Sequence, residues 1–200
     1  MVGIVHLPAF VIASTLLILS PGPGTLAILG SSTGSRRAGF AALAGTSTGD
    51  ALLMLAAAIG AATLLAANPT AFAVLKYGGG AYLAFLGYKS LTSKEQRLAV
   101  TQPEAGSAYK RSLFVTLLNP KAIIFFMAFF PQFVQPGAPV TAFAVLGVLF
   151  ITLNCTYQAL LITFSSWIVG HLDEAPHIAL WVNRLLGVVF ILFGLKLAIG

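Results

Sequence analysis

The chain has 200 residues, of which 58% are hydrophobic and 8% charged, and its mean hydropathy is +0.94. A soluble domain carries about 25% charged residues to keep its surface wet, so 11 basic and 5 acidic side chains exclude a soluble globular protein. No charge falls between Met1 and Ser35 or between Ala122 and Leu172. At about 20 residues per crossing, these runs predict an all-α, polytopic membrane protein, read as a single integral membrane domain over 1–200. Cys155, the one cysteine, excludes an internal disulfide. The net charge of +6 is spread between apolar runs rather than gathered on a patch, which speaks for membrane topology and against a nucleic-acid partner.

Breaks in apolar character predict six spans, over 4–30, 38–66, 69–91, 112–134, 140–168 and 178–199. Residues 1–20 lack the basic n-region and small-residue cleavage site of a signal peptide, so they are expected to stay as the first span. Well inside that span stands Pro21-Gly22-Pro23-Gly24. Two prolines remove two backbone donors and two glycines add freedom to unwind. A broken helix is expected, with open carbonyls and N–H groups that survive at membrane depth only inside protein or beside a wet cavity. A simple kink is the structural alternative.

Arg36 and Arg37 separate the first two spans. In the second, Asp50 follows the small-residue stretch Gly45-Thr46-Ser47-Thr48-Gly49, which permits close helix approach. Asp50 is the only acid within any span. A lone carboxylate there needs a cation or a proton, so it is read either as a proton carrier or as half of a static pair with Lys121, Lys76 or Arg184. Asn68-Pro69 turns the chain into the third span, and 92–111 forms a polar loop. The fourth span contains Asn119-Pro120-Lys121, eight to ten residues in. Pro120 opens the backbone again, Asn119 offers a donor and an acceptor, and Lys121 lies about 15 Å from the interface, beyond an easy snorkel. Lys121 is therefore read as facing inward. Asn154, Thr156, Tyr157 and Gln158 make a polar patch in the fifth span, where plain interhelical hydrogen bonding is the alternative to lining a cavity. Lys76 and Arg184 are read as snorkelling, and the three histidines support neither a metal site nor a relay.

Lys and Arg set the direction. Arg36, Arg37, Lys89, Lys94, Arg97, Lys110 and Arg111 fall on one face, and only Lys196 falls near the other. The basic face is cytoplasmic by the positive-inside bias, so both termini are expected outside the cytoplasm.

The halves, about 1–91 and 112–200, match weakly in order. Ser20-Pro21 corresponds to Asn119-Pro120, and Asp50 to Asn154. Gly80 and Gly87-Tyr88-Lys89 correspond to Gly187 and Gly194-Leu195-Lys196. Three spans per half is odd, so the second half enters the membrane inverted. The expected architecture is a 3+3 inverted repeat with helices 1 and 4 broken, as in secondary transporters whose site lies where the halves meet.

These segments resemble the lysine exporter / homoserine-threonine resistance (LysE/RhtB) family of bacterial amino-acid exporters. The likeness rests on Pro21-Gly22-Pro23-Gly24, then Gly34-Ser35-Arg36-Arg37-Ala38-Gly39, Gly49-Asp50 and the stretch from Leu75 through Gly78-Gly79-Gly80 to Leu83. Asn119-Pro120-Lys121-Ala122, Phe125-Phe126 and Pro131-Gln132-Phe133 complete it, so it covers almost the whole chain. The resemblance implies a six-span permease of the bacterial cytoplasmic membrane. Such a permease exports amino acids or close derivatives by the proton motive force, without a cofactor, with protons as the coupling ion. It also implies that both proline breaks and Asp50 frame the substrate path. One midplane acid favours a neutral zwitterion over a dibasic substrate, its ammonium on Asp50 and its carboxylate on Lys121 or the exposed N–H groups.

An intramembrane enzyme is excluded by the want of a second acid or a His-Glu-x-x-His motif in any span. A channel fits poorly, since one acid and two scattered breaks make no ring unless a homo-oligomer supplies it. Export of another small polar metabolite or ion is the serious alternative. Cargo, coupling stoichiometry and oligomeric state stay open at this level.

Overall fold

The computed structural model describes residues 3–20, 22–67, 69–92, 105–135, 137–165 and 176–199. Among them the chain is all-helical, apart from one antiparallel bridge between Ile4 and Val134. In chain order the helices are α1 (Leu7–Leu19), α2 (Pro23–Gly34), α3 (Arg36–Ala67), α4 (Pro69–Leu91), α5 (Ala105–Leu117), α6 (Pro120–Ile124), α7 (Val140–Thr163) and α8 (Pro176–Ile199). A π-helical turn, Phe125–Phe129, and a 3-10 turn, Phe130–Phe133, extend α6.

Two helices are each long and apolar enough to cross a membrane: α3 over Arg36–Gly60, and α7. Two bent pairs qualify if each is one span, α1 with α2 at 51° and α5 with the α6 segment at 53°. Among the described residues the count is thus two to four on length and composition.

Both bends have the same local cause. A residue before proline is pushed out of the helical region. Ser20 (ψ 111°), Gly22 (ψ 178°) and Asn119 (ψ 108°) each precede a proline and are extended. Proline is then tolerated at the first position of the next helix, where its missing N–H is no loss. Pro23 and Pro120 start α2 and α6. The side chain of Asn119 caps the second restart by accepting from the backbone N–H of Lys121 at 3.1 Å. Ser35 caps α3 in the same way, its Oγ accepting from the N–H of Ala38 at 3.0 Å.

The helix bounds differ from the sequence reading at one informative place. The polar stretch 92–111 reads as loop, yet α5 is helical from Ala105. Alanine, lysine and arginine are good helix formers. Ala108 is fully buried in a small cluster with Ile28, Ala38, Ala42, Leu43 and Ile162, while Lys110 and Arg111 stay exposed. One apolar face docked on α3 outweighs the polar composition.

A larger apolar cluster fills the other end of the molecule. Phe125, Phe126, Phe129, Phe130 and Phe133 from the π and 3-10 turns pack with Phe10 of α1 and Phe150 of α7. Several of these rings meet edge-on, as Phe126 and Phe150 do at 5.0 Å between centroids.

Among the described residues α4 packs extensively against α8. The register of this contact is set by glycine. A Cβ on Gly87 would stand 2.5 Å from the carbonyl oxygen of Gly187, and one on Gly194 would stand 2.5 Å from that of Gly80. Gly80–Gly194 and Gly87–Gly187 are therefore the touching pairs, and α4 and α8 run antiparallel. Exchanging each glycine for its counterpart in the other half maps one pair onto the other.

Candidate functional site

The buried stripe of α7 recurs every four residues: Ala142, Leu146, Phe150, Asn154, Gln158 and Ile162. Its first three members join the phenylalanine cluster and Ile162 joins the small one, so Asn154 and Gln158 form a polar band between two apolar ends. The same layers recur on α3 in the reverse chain order. Ala42 and Leu43 belong to the small cluster and Leu53, Met54 and Ala57 to the large one, with buried Thr46 and Asp50 between them.

Glycine brings a third wall against this band. A Cβ on Gly45 would overlap the carbonyl of Tyr109, and one on Gly49 would stand 2.8 Å from Cβ of Thr116. Helix α5 thus lies directly on α3, and its end delivers Thr116 and Asn119 beside Asp50. The two helix breaks close the remaining sides. The resulting cavity, of about 70 Å³, is lined by Asp50, Asn154, Gln158, Thr25, Thr46, Thr116, Asn119, Lys121, Ser20, Gly22 and Gly24, with Leu17, Ile18, Ala122 and Phe150 as its apolar floor. That volume holds a few water molecules.

Within the band, Nδ2 of Asn154 donates to Oδ2 of Asp50 at 3.0 Å. Since that amide must donate to the carboxylate, its oxygen faces Gln158, whose Nε2 approaches it at 3.5 Å and donates to Oγ1 of Thr25 at 3.3 Å. This leaves Oε1 of Gln158 buried with no hydrogen-bond partner among the described residues. Asp50 and Asn154, which the sequence comparison of the two halves sets in correspondence, meet face to face.

Lys121 faces inward. Its Nζ donates to the carbonyls of Ser20 at 3.0 Å and Leu17 at 3.2 Å and lies 5.3 Å from the ring centre of Phe190. Among the described residues neither Asp50 nor Lys121 makes an ion pair, so the static pair with Lys121 or Arg184 is not formed. Arg184 is exposed, 6.0 Å from the Trp181 ring. The side chain of Lys76 lies outside the described residues, as does Pro21.

Of the residues singled out from sequence, Asp50, Asn119, Lys121, Asn154, Gln158, Gly22 and Gly24 come together at the cavity. Pro23 and Pro120 stand exposed at the helix starts that shape it. Thr156 does not reach it, being exposed with its hydroxyl bonded to the carbonyl of Thr152. Thr25 and Thr116 carry no signal in the sequence, and Thr46 reads there only as part of a small-residue stretch for close helix packing. No group of three His, Cys, Asp or Glu among the described residues could hold a metal ion.

An apolar helical protein with a small polar cavity where two broken helices meet has the build of a secondary transporter. The family model for the LysE type translocator matches residues 15–200. The chain belongs to that family: it is a membrane transporter and not an enzyme. It is similar to the leucine efflux protein of Salmonella typhimurium, 34% identical over 98% of this chain and 96% of that one. The leucine efflux protein of Klebsiella pneumoniae is also 34% identical over the same shares, and an uncharacterized membrane protein of Pseudomonas aeruginosa is 36% identical over 98% and 96%. No solved structure matches.

Proposed function

We propose that the protein exports neutral amino acids of the leucine type from the cytoplasm in exchange for protons. The observation that carries this reading is the set of groups on one cavity: a single carboxylate, a single ammonium and a helix start, above an apolar floor. A zwitterion needs a carboxylate to meet its ammonium and a positive site, an ammonium or a helix start, to meet its carboxylate. Its ammonium fits the free face of Asp50 and the unpartnered Oε1 of Gln158. Its carboxylate fits the first turn of α2, where the N–H groups of Gly24 and Thr25 have no partner within the helix and the dipole favours an anion. An aliphatic side chain fits Leu17, Ile18 and Phe150. The names of the relatives favour leucine among neutral amino acids.

Exchange follows from the single acid. Asp50 can hold a proton or face a substrate ammonium, but one carboxylate does not serve both at once. Competition at one site, with access alternating between faces, is antiport. The cavity is far below the ~300 Å³ of a site that encloses a small molecule, so loading requires the broken helices to move.

The architecture that would do this is a six-span 3+3 inverted repeat in the bacterial inner membrane, both termini outside the cytoplasm. Helices α4 and α8, 23 and 24 residues long, supply the two further crossings. The self-exchanging glycine contacts and the Asp50–Asn154 pair support the repeat, and the positive-inside bias supports the orientation.

The test is a panel of labelled neutral, basic and acidic amino acids in proteoliposomes under an imposed pH gradient. Movement of leucine that stops when the gradient is collapsed is expected. Movement of none of them would overturn the amino-acid reading in favour of another polar metabolite or an ion.

A further inference from the structure

Lys121 does something that binding a substrate carboxylate does not require. Its ammonium sits against the carbonyl end of α1, on oxygens that the sequence itself has orphaned. In an unbroken helix the carbonyl of Leu17 would bond the N–H of residue 21, but residue 21 is proline and has none. The carbonyl of Ser20 lies past the last turn of α1, where the chain bends by 51° into α2. Both oxygens point at Nζ, at 3.2 and 3.0 Å. The negative end of the α1 dipole and the face of the Phe190 ring at 5.3 Å add to the same preference for a cation. Among the described residues no carboxylate pairs with it. Gly22 adjoins, and a Cβ there would lie 3.8 Å from Nζ.

Carbonyls at the end of a half-helix, buried at membrane depth, are the ligand set with which broken-helix transporters hold a monovalent metal ion. We propose that the Leu17 and Ser20 carbonyls form a monovalent-cation site and that Lys121 fills it with its own ammonium, a cation tethered to the chain. The wild-type protein then needs no sodium or potassium at this place. Removing the ammonium while keeping the chain's bulk opens the site to a free ion of like size and charge. This goes beyond the export reading and does not depend on which substrate is carried.

The experiment compares wild-type protein and Lys121→Met, purified in detergent. Melting is followed in choline chloride and in ammonium, potassium or sodium chloride at equal ionic strength and pH. In choline the variant is expected to melt about 5 °C below wild type. Ammonium, potassium or sodium should restore at least half of that loss at millimolar concentration, while wild type responds to none of them. A variant that melts alike in all four salts, or as high as wild type in choline, would overturn the idea, as would an equal shift of both proteins. Should the variant not fold, the wild type alone still decides: melting or leucine movement that depends on added sodium or potassium is incompatible with a site already filled. Failure of the amino-acid panel with salt-selective rescue of the variant would sink the export reading and leave this one standing.

Discussion

Asn154 donates to Asp50 at 3.0 Å and thereby fixes which way the amides of Asn154 and Gln158 point. A hydrogen bond to a charged group contributes about 1.5–3 kcal/mol. Asn154→Leu should therefore lower leucine transport in proteoliposomes at least about tenfold, since 1.4 kcal/mol is a factor of ten. Transport at the wild-type rate would show that the amide does not tune Asp50. At this scale the polar centre was partly legible. Asp50, Asn119, Lys121 and Asn154 stand out because a polar side chain in an apolar run needs a reason. The threonines did not stand out, because a threonine in a membrane helix can satisfy itself on its own backbone. Thr46 does so, bonding the carbonyl of Leu43 at 2.9 Å, and still lines the cavity. Only packing reveals that.

Proline placed the helix breaks, and the extended residues before Pro23 and Pro120 show why the sequence could be trusted there. At the second break the carbonyl of Thr116 would bond residue 120, which lacks an N–H, and accepts instead from Asn119 at 3.1 Å. Pro120→Ala restores the missing donor and lets α5 run on into α6. We expect the variant to melt at or above the wild-type temperature and to transport leucine at least tenfold more slowly. Full transport would mean that the second break is a passive kink. Two features of the elements were not legible. The early start of α5 depends on Ala108 docking in the small apolar cluster, and the π-helical turn depends on how five phenylalanines pack. Both are tertiary effects that local spacing does not carry.

Across the whole molecule, the two halves meet through residues that correspond in sequence: Asp50 with Asn154, and the glycines of α4 with those of α8. The glycine spacing hinted at a repeat, but that corresponding residues would touch was visible only in three dimensions. The cavity at this meeting place carries one acid, and the proposed exchange of substrate for protons rests on it. Asp50→Asn preserves the volume and the contact with Asn154 but cannot exchange a proton. Two rates for this variant in proteoliposomes, leucine counterflow and leucine movement driven by a pH gradient, provide the most direct test. We expect counterflow above the protein-free background and no gradient-driven movement. Gradient-driven movement at the wild-type rate, with the wild-type dependence on pH, would remove Asp50 from the coupling and with it the mechanism proposed here.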